Sequence, residues 1–313
     1  MKKFFTILLS LSFLVTAFPI CGQAAVKKIS IVTTIFPQYD FARAIAGDKA
    51  DMTMLLRPGA ESHTYDPTPR DILKIKDCDV FIYGGGESDE WVNRVLESVD
   101  TSKMKIISLM DCVDVVEEEI VEGMQEEEEE EEGHDHEAEY DEHVWTSPKN
   151  VKVIVQKISD VLTDVDPANA GVYTKNAADY LVELDKLDKA FADVVKGASR
   201  KTLVFGDRFP FRYFADAYGL NYFAAFPGCS TETEASVATV AFLINKAKAE
   251  KIPVVFHIEL SNEKIADTIC EATGAKKLLF HASHNISRDD FQNGVTYLDI
   301  MTANVGALNE ALN

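Results

Sequence analysis

DPANAGVYTKNAADYLVELDKLDKAFADVVKG, residues 166–197, decides how the rest of the chain divides. Asp166 ahead of Pro167 is a helix-start signal, an N-cap acceptor followed by a residue whose fixed φ suits the first turn. Tyr173, Ala177, Tyr180, Leu184, Leu187, Phe191 and Val194 then recur three and four residues apart as far as Gly197. A helix over Pro167–Lys196 would rise about 45 Å at 1.5 Å per residue. That is long enough to run the length of a two-lobed protein.

Outward from this helix the chain alternates short β-branched runs with helical stretches. Before it, Ile29–Thr34, Met52–Leu56, Val80–Tyr83 and Lys105–Ser108 read as strands, with helices at Tyr39–Ala46, Pro69–Lys76 and Glu90–Ser98 between them. After it come strands at Thr202–Phe205, Leu220–Ala225, Val254–Ile258 and Leu278–Phe280. The helices of this second series fall at Pro210–Tyr218, Glu234–Lys251, Glu263–Thr273 and Asp289–Leu312. Two βα series imply an α/β fold of two parallel-sheet lobes joined by the long helix. The expected domains are residues 25–165, the linking helix 166–196 and residues 197–313. In such a fold a ligand binds where the loops at the C-terminal ends of the strands converge.

The chain has 313 residues, 46% of them hydrophobic, which is globular composition. Its formal charge is −21, and residues 117–142 alone hold 16 acids and no base, leaving −5 for everything else. This balance excludes a direct grip on nucleic-acid phosphates and docking to an anionic lipid surface through a basic patch. Seven consecutive glutamates, Glu126 to Glu132, repel one another, so the acidic segment reads as a loop. Met1-Lys2-Lys3 followed by an uncharged run from Phe4 to Ile20 and small residues up to Ala25 reads as a signal peptide, residues 1–24. Export follows, to a periplasm or cell surface. Cys21 leaves a lipid tether open, although Ile20 fits a lipoprotein signal poorly.

The five cysteines, Cys21, Cys78, Cys112, Cys229 and Cys270, show no Cys-x-x-Cys spacing, which argues against a thiolate zinc knuckle. The histidines are more telling. His63 lies in a stiff loop rich in Pro and Gly, Arg57 to Pro69, with Glu61 two residues away, and this setting suits a ligand fixed before the metal arrives. His143 follows Asp141-Glu142, acids able to orient an imidazole by accepting its second N–H. His281 and His284 leave a strand together, and Glu259 sits near another strand exit. His257, within an apolar strand, reads as a core residue. Separated imidazoles plus carboxylates suggest zinc, or manganese where oxygens dominate. A zinc hydrolase would use similar ligands, but no His-Glu-x-x-His helix is present, and Gly84-Gly85-Gly86 lacks the Lys-Ser/Thr of a phosphate loop.

Arg57 to Pro69 and Asp141 to Pro148 together resemble the first and second ligand motifs of the metal-binding solute-binding proteins of ABC importers, the zinc and manganese cluster. The resemblance extends over nearly the whole chain, including the helix 166–196 and the run Phe214-Ala215-Asp216-Ala217-Tyr218-Gly219. It implies His63 and His143 as ligands. In that family the third ligand, His or Glu, stands five residues before a Tyr-Phe pair, which here is Arg208, a side chain unable to bind a cation. Asp207 is the expected substitute. The fourth position falls on His281, with His284 as the near alternative. The expected shell is therefore His63, His143, His281 and Asp207, with Glu61, Glu259 and His284 beside it, and His134 and His136 as a low-affinity collector in the acidic loop. Three imidazoles favour zinc over manganese.

The resemblance further implies a monomeric receptor without catalysis of its own, delivering zinc to an ABC permease whose ATPase is a separate chain. Membrane contact would come through the permease or a lipid at Cys21. A manganese-specific receptor, a metal-dependent adhesin and a zinc hydrolase are the alternatives.

Overall fold

The computed structural model describes residues 28–124, 139–230 and 234–313. The signal-peptide reading, with Cys21, and the loop histidines His134 and His136 lie outside the described residues.

The first lobe is a parallel sheet of β1 (Ile29–Thr33), β2 (Ala50–Met54), β3 (Val80–Tyr83) and β4 (Lys105–Ser108) in the order β2-β1-β3-β4. The second, of β5 (Thr202–Arg208), β6 (Asn221–Phe226), β7 (Val254–His257) and β8 (Lys276–Leu279), has the order β6-β5-β7-β8. The two sheets therefore share one strand order. Helices α1 (Phe36–Ala46), α2 (Pro69–Lys76) and α3 (Glu90–Ser98) cover the first sheet. Helices α6 (Arg212–Tyr218), α7 (Val237–Ala249) and α8 (Lys264–Thr273) belong to the second. Each parallel pair demands a crossover, which is why apolar strand runs and amphipathic helices alternate in sequence.

Between the lobes lie α4 (Pro148–Val165) and α5 (Ala170–Gly197). Residues 167–169 form a tighter 3-10 turn rather than the start of the long helix. The 28 residues of α5 rise about 42 Å. The helix, with its buried stripe of Tyr173, Ala177, Leu184, Leu187, Phe191 and Val195, packs against α1, α4, α6 and α10 (Tyr297–Leu312). One core cluster thus runs through both lobes.

Two expectations shift. The helix expected over Asp289–Leu312 is split into α9 (Arg288–Asn293) and α10, because Gly294 at φ 76° ends the first in a left-handed cap and Thr296 starts the second with a capping box. The strand after α5 runs on to Arg208, with a register shift against β6 between Phe205 and Arg208. Within it Gly206 lies under α8. A Cβ there would stand 2.4 Å from the Ala266 Cα, so only glycine lets this helix sit on the strand.

Candidate metal centre

Three imidazoles converge at the C-terminal ends of the strands. His63 lies in the loop after β2, His143 at the start of a 3-10 turn leading into α4, and His284 in the loop after β8. One ligand nitrogen from each lies within 4.8 Å of the other two. The ring centroids are 5.8 Å apart for His63 and His143, 5.2 Å for His63 and His284, and 4.7 Å for His143 and His284.

Each ring is anchored through Nδ1. His63 Nδ1 is hydrogen-bonded to Ser88 Oγ at 2.8 Å, with Glu142 Oε1 at 3.7 Å. Asp141 Oδ1 accepts from His143 Nδ1 at 2.9 Å and from the His143 backbone N–H at 2.8 Å. Glu259 Oε1 accepts from His284 Nδ1 at 3.3 Å and from its backbone N–H at 2.9 Å. With Nδ1–H held by a carboxylate or a hydroxyl oxygen, Nε2 carries the lone pair a metal requires. All three Nε2 atoms are buried and without a hydrogen-bond partner. Three orphaned acceptors are costly in a protein that binds nothing, and a cation among them removes the cost.

The electrostatics agree. Burial, aided by repulsion from the His284 and His143 rings, holds His63 well below the usual imidazole range. Burial likewise depresses His284, against the pull of Glu259. For His143 burial acts in the same direction, but the adjacent Asp141, with Glu142 and Glu118 adding to it, prevails and raises the ring. Burial pushes Glu142 up to about 7.

The structure separates the other expected residues from this centre. His281 is outside the trio: its Nδ1 accepts the Ser283 N–H at 3.0 Å, and Glu259 Oε2 lies 3.4 Å away. Ser283, at φ 65°, turns the chain between the two histidines, so that His284 and not His281 faces His63 and His143. Asp207 is also spent elsewhere, accepting the N–H groups of Arg208 at 2.9 Å and Ile258 at 3.3 Å. Arg208 reaches across to the first lobe, its Nη1 and Nη2 each 3.4 Å from one oxygen of Glu61. Glu61 in turn accepts the His63 N–H at 3.4 Å. His257 bonds the Ile258 carbonyl at 3.1 Å and stays out of the centre.

Residues missed from the sequence complete the surroundings. The Trp145 ring meets His143 and His284 edge-on, and its indole N–H donates to the Ala282 carbonyl at 2.9 Å, joining the lobes behind the imidazoles. On another side the Asn285 amide donates to the Arg57 and Ala60 carbonyls, both at 2.7 Å, and the Gly59 N–H donates to the Ile286 carbonyl at 2.8 Å. Cys229 forms a second group with Glu142 and His143, their ligand atoms within 4.8 Å of one another. Cys78, Cys112, Cys229 and Cys270 are all free thiols. Among the described residues, no helix is long and apolar enough to cross a membrane.

Comparison with known proteins places these features in company. A family profile described as "ZnuA: Zinc-uptake complex component A periplasmic" matches residues 31–311. The zinc-binding lipoprotein AdcA of Streptococcus pneumoniae strain R6 is 33% identical over 311 residues, covering 99% of this chain but 61% of AdcA. The chain thus spans about three fifths of that relative's length. The high-affinity zinc uptake system protein ZnuA of Bacillus subtilis is 31% identical over 302 residues, covering 93% of this chain and 92% of its own length. The crystal structure of the Zn(II)-bound ZnuA-like domain of S. pneumoniae AdcA matches with a TM-score of 0.75 at 31% identity, covering 91% of this chain and 99% of that domain.

Proposed function

Since the chain belongs to the ZnuA family of zinc-uptake components, we propose that it captures zinc outside the cytoplasm through His63, His143 and His284 and delivers it to an ABC-type importer. The observation that carries this reading is the trio of buried, unpartnered Nε2 atoms. Imidazole donors suit zinc better than manganese, which prefers oxygens. The ion is cargo: the receptor holds it between lobes of residues 25–165 and 197–313 hinged on the helix 166–196, and releases it to a permease driven by a separate ATPase chain. The lipoprotein name of AdcA and the periplasmic description of the family support an extracytoplasmic setting, reached through the signal 1–24 and kept with or without a lipid at Cys21.

Titration against a chromogenic zinc chelator tests the ligand set. His63→Ala, His143→Ala and His284→Ala should each weaken zinc binding by more than the ~10–100-fold typical of residues that only orient ligands. His281→Ala and Asp207→Ala should stay within that smaller range. If His281→Ala is the more damaging of the two C-terminal histidine variants, the trio is misassigned.

A further inference from the structure

We propose that Cys229 supplies the fourth zinc ligand through its thiolate, closing a shell of three imidazoles and one sulfur. This inference rests on the zinc-receptor reading and concerns the coordination position that the trio leaves open, since closed zinc sites take four protein ligands.

The shared strand order points to Cys229 first. His63 follows β2, the edge strand beside β1, and the corresponding edge strand of the second lobe is β6, which is followed by Pro227-Gly228-Cys229. His143 is the donor that follows β4, and His284 the donor that follows β8. The first lobe thus delivers donors after its two edge strands. With Cys229 counted, the second lobe does the same, and each lobe contributes two.

Contacts around the loop point the same way independently. Gly228 lies against the His143 ring, where a Cβ would be 3.1 Å from Cε1 and 3.2 Å from Nδ1, a tighter approach than most side chains make. The chain is pinned beside the ring at two adjacent residues. The Cys229 N–H donates to Glu118 Oε1 at 3.0 Å, and the Ser230 carbonyl accepts from Arg208 Nη1 at 3.2 Å. Arg208, useless as a ligand, thereby holds the loop that carries the thiol. Cys229 shares a cavity of about 220 Å³ with His63, which gives the side chain room to turn toward the unpartnered nitrogens.

Elimination removes the competing carboxylates. Asp207 and Glu259 are committed to backbone N–H groups of their own lobe. Glu61 is engaged with Arg208, and Glu142 Oε2 accepts the Ser88 N–H at 3.0 Å. Among the described residues, the Cys229 thiol is the second-lobe group besides His284 that stands in a potential ligand cluster with His143. On binding, a Zn–S bond forms as the S–H bond breaks and its proton passes to solvent. Thiolate is a soft ligand, so the exchange also sharpens selection of zinc against manganese.

Cobalt(II), a spectroscopic substitute for zinc, tests the proposal on the full chain. The wild-type protein with one equivalent of cobalt(II) should show a near-ultraviolet thiolate-to-metal charge-transfer band. Cys229→Ser should lose the band, bind zinc at least ten-fold more weakly and discriminate less against manganese, whereas Cys270→Ser, which removes a thiol outside the centre, should keep the band. Stoichiometric cobalt and zinc binding by the wild type without the band would overturn the thiolate ligand while leaving the receptor reading intact. A wild type that binds neither ion would overturn both. Because the band is read on the unaltered protein, the outcome does not depend on how any variant folds.

Discussion

In the first lobe each histidine has its own hook, Ser88 for His63 and Asp141 for His143, and the hook of His143 is two residues away in sequence. In the second lobe one carboxylate carries the whole assembly. Glu259 receives the N–H groups of Ala282 and His284 and the His284 ring, across 25 residues of chain. Its pKa is lowered although burial works the other way, because His281, His284 and those hydrogen bonds favour the charged form. The difference shows two ways of fixing an imidazole: a local turn, robust to changes elsewhere, and a distant anion on which a loop is built.

Removing the hooks should expose this contrast, and the largest effect belongs to the second lobe. Glu259→Ala leaves two backbone N–H groups and a ring without acceptors, at about 1–3 kcal/mol for each buried group left unmade. Zinc affinity should fall toward the upper end of the ~10–100-fold range of residues that orient ligands, and the metal-free protein should melt at a visibly lower temperature. Ser88→Ala should cost roughly ten-fold in affinity with little change in melting. Calorimetry and thermal melts of the two variants side by side would erase the contrast if their losses were equal.

Acid should separate the rings next. Protonation blocks an imidazole lone pair, so a ring with a raised pKa loses metal first as pH falls. His143 is the raised one, while His63 and His284 are held down and stay neutral longer. Zinc affinity should therefore begin to decline above the ordinary imidazole value of about 6.5, with close to one proton competing per ion. Asp141→Asn removes the charge that raises His143 and should move the decline to lower pH. Competition titrations from neutral to mildly acidic pH would expose a mistaken assignment as a dependence on three protons at once, or as an unshifted curve in the variant.

The smallest effect should come from the pair between lobes. Arg208 and Glu61 meet at 3.4 Å with Glu61 partly in solvent, so the pair belongs with surface ion pairs worth up to about 1 kcal/mol. Arg208→Lys should speed zinc release a few-fold, less so at high salt. Stopped-flow release showing no change at low salt would reduce the pair to decoration.

The same contrast explains what could be read in advance. The long helix and both βα series are legible because strand and helix periods survive in the sequence, and His63 and His143 because their settings are local: a stiff loop, and acids immediately upstream. His281 outranks His284 in the sequence because the positive φ of Ser283 and the anchoring by Glu259 are tertiary facts. Asp207 reads as a ligand for the same reason, its carboxylate being taken by the Ile258 N–H from a neighbouring strand exit. The break at Gly294 is visible as a glycine within a helical pattern, but the pattern on either side outweighs it. Cys229 has no signal in its own segment, and it is the repeat of strand order between the lobes, with the contacts of its loop, that brings it forward.

The bonds from Asn285 and Ile286 to residues 57–60 bear on the path an ion takes. They tie the loop of His63 to the loop of His284, so parting the lobes there would break three hydrogen bonds, each worth about 1 kcal/mol net. The lobes are also joined on the Cys229 side, where the Cys229 N–H donates to Glu118 Oε1 at 3.0 Å, and Asp66, Glu87 and Glu90 among the walls of the cavity there give it an acidic lining. An ion held by the trio therefore sits between two joined edges of the cleft, and its release requires the lobes to part at one of them.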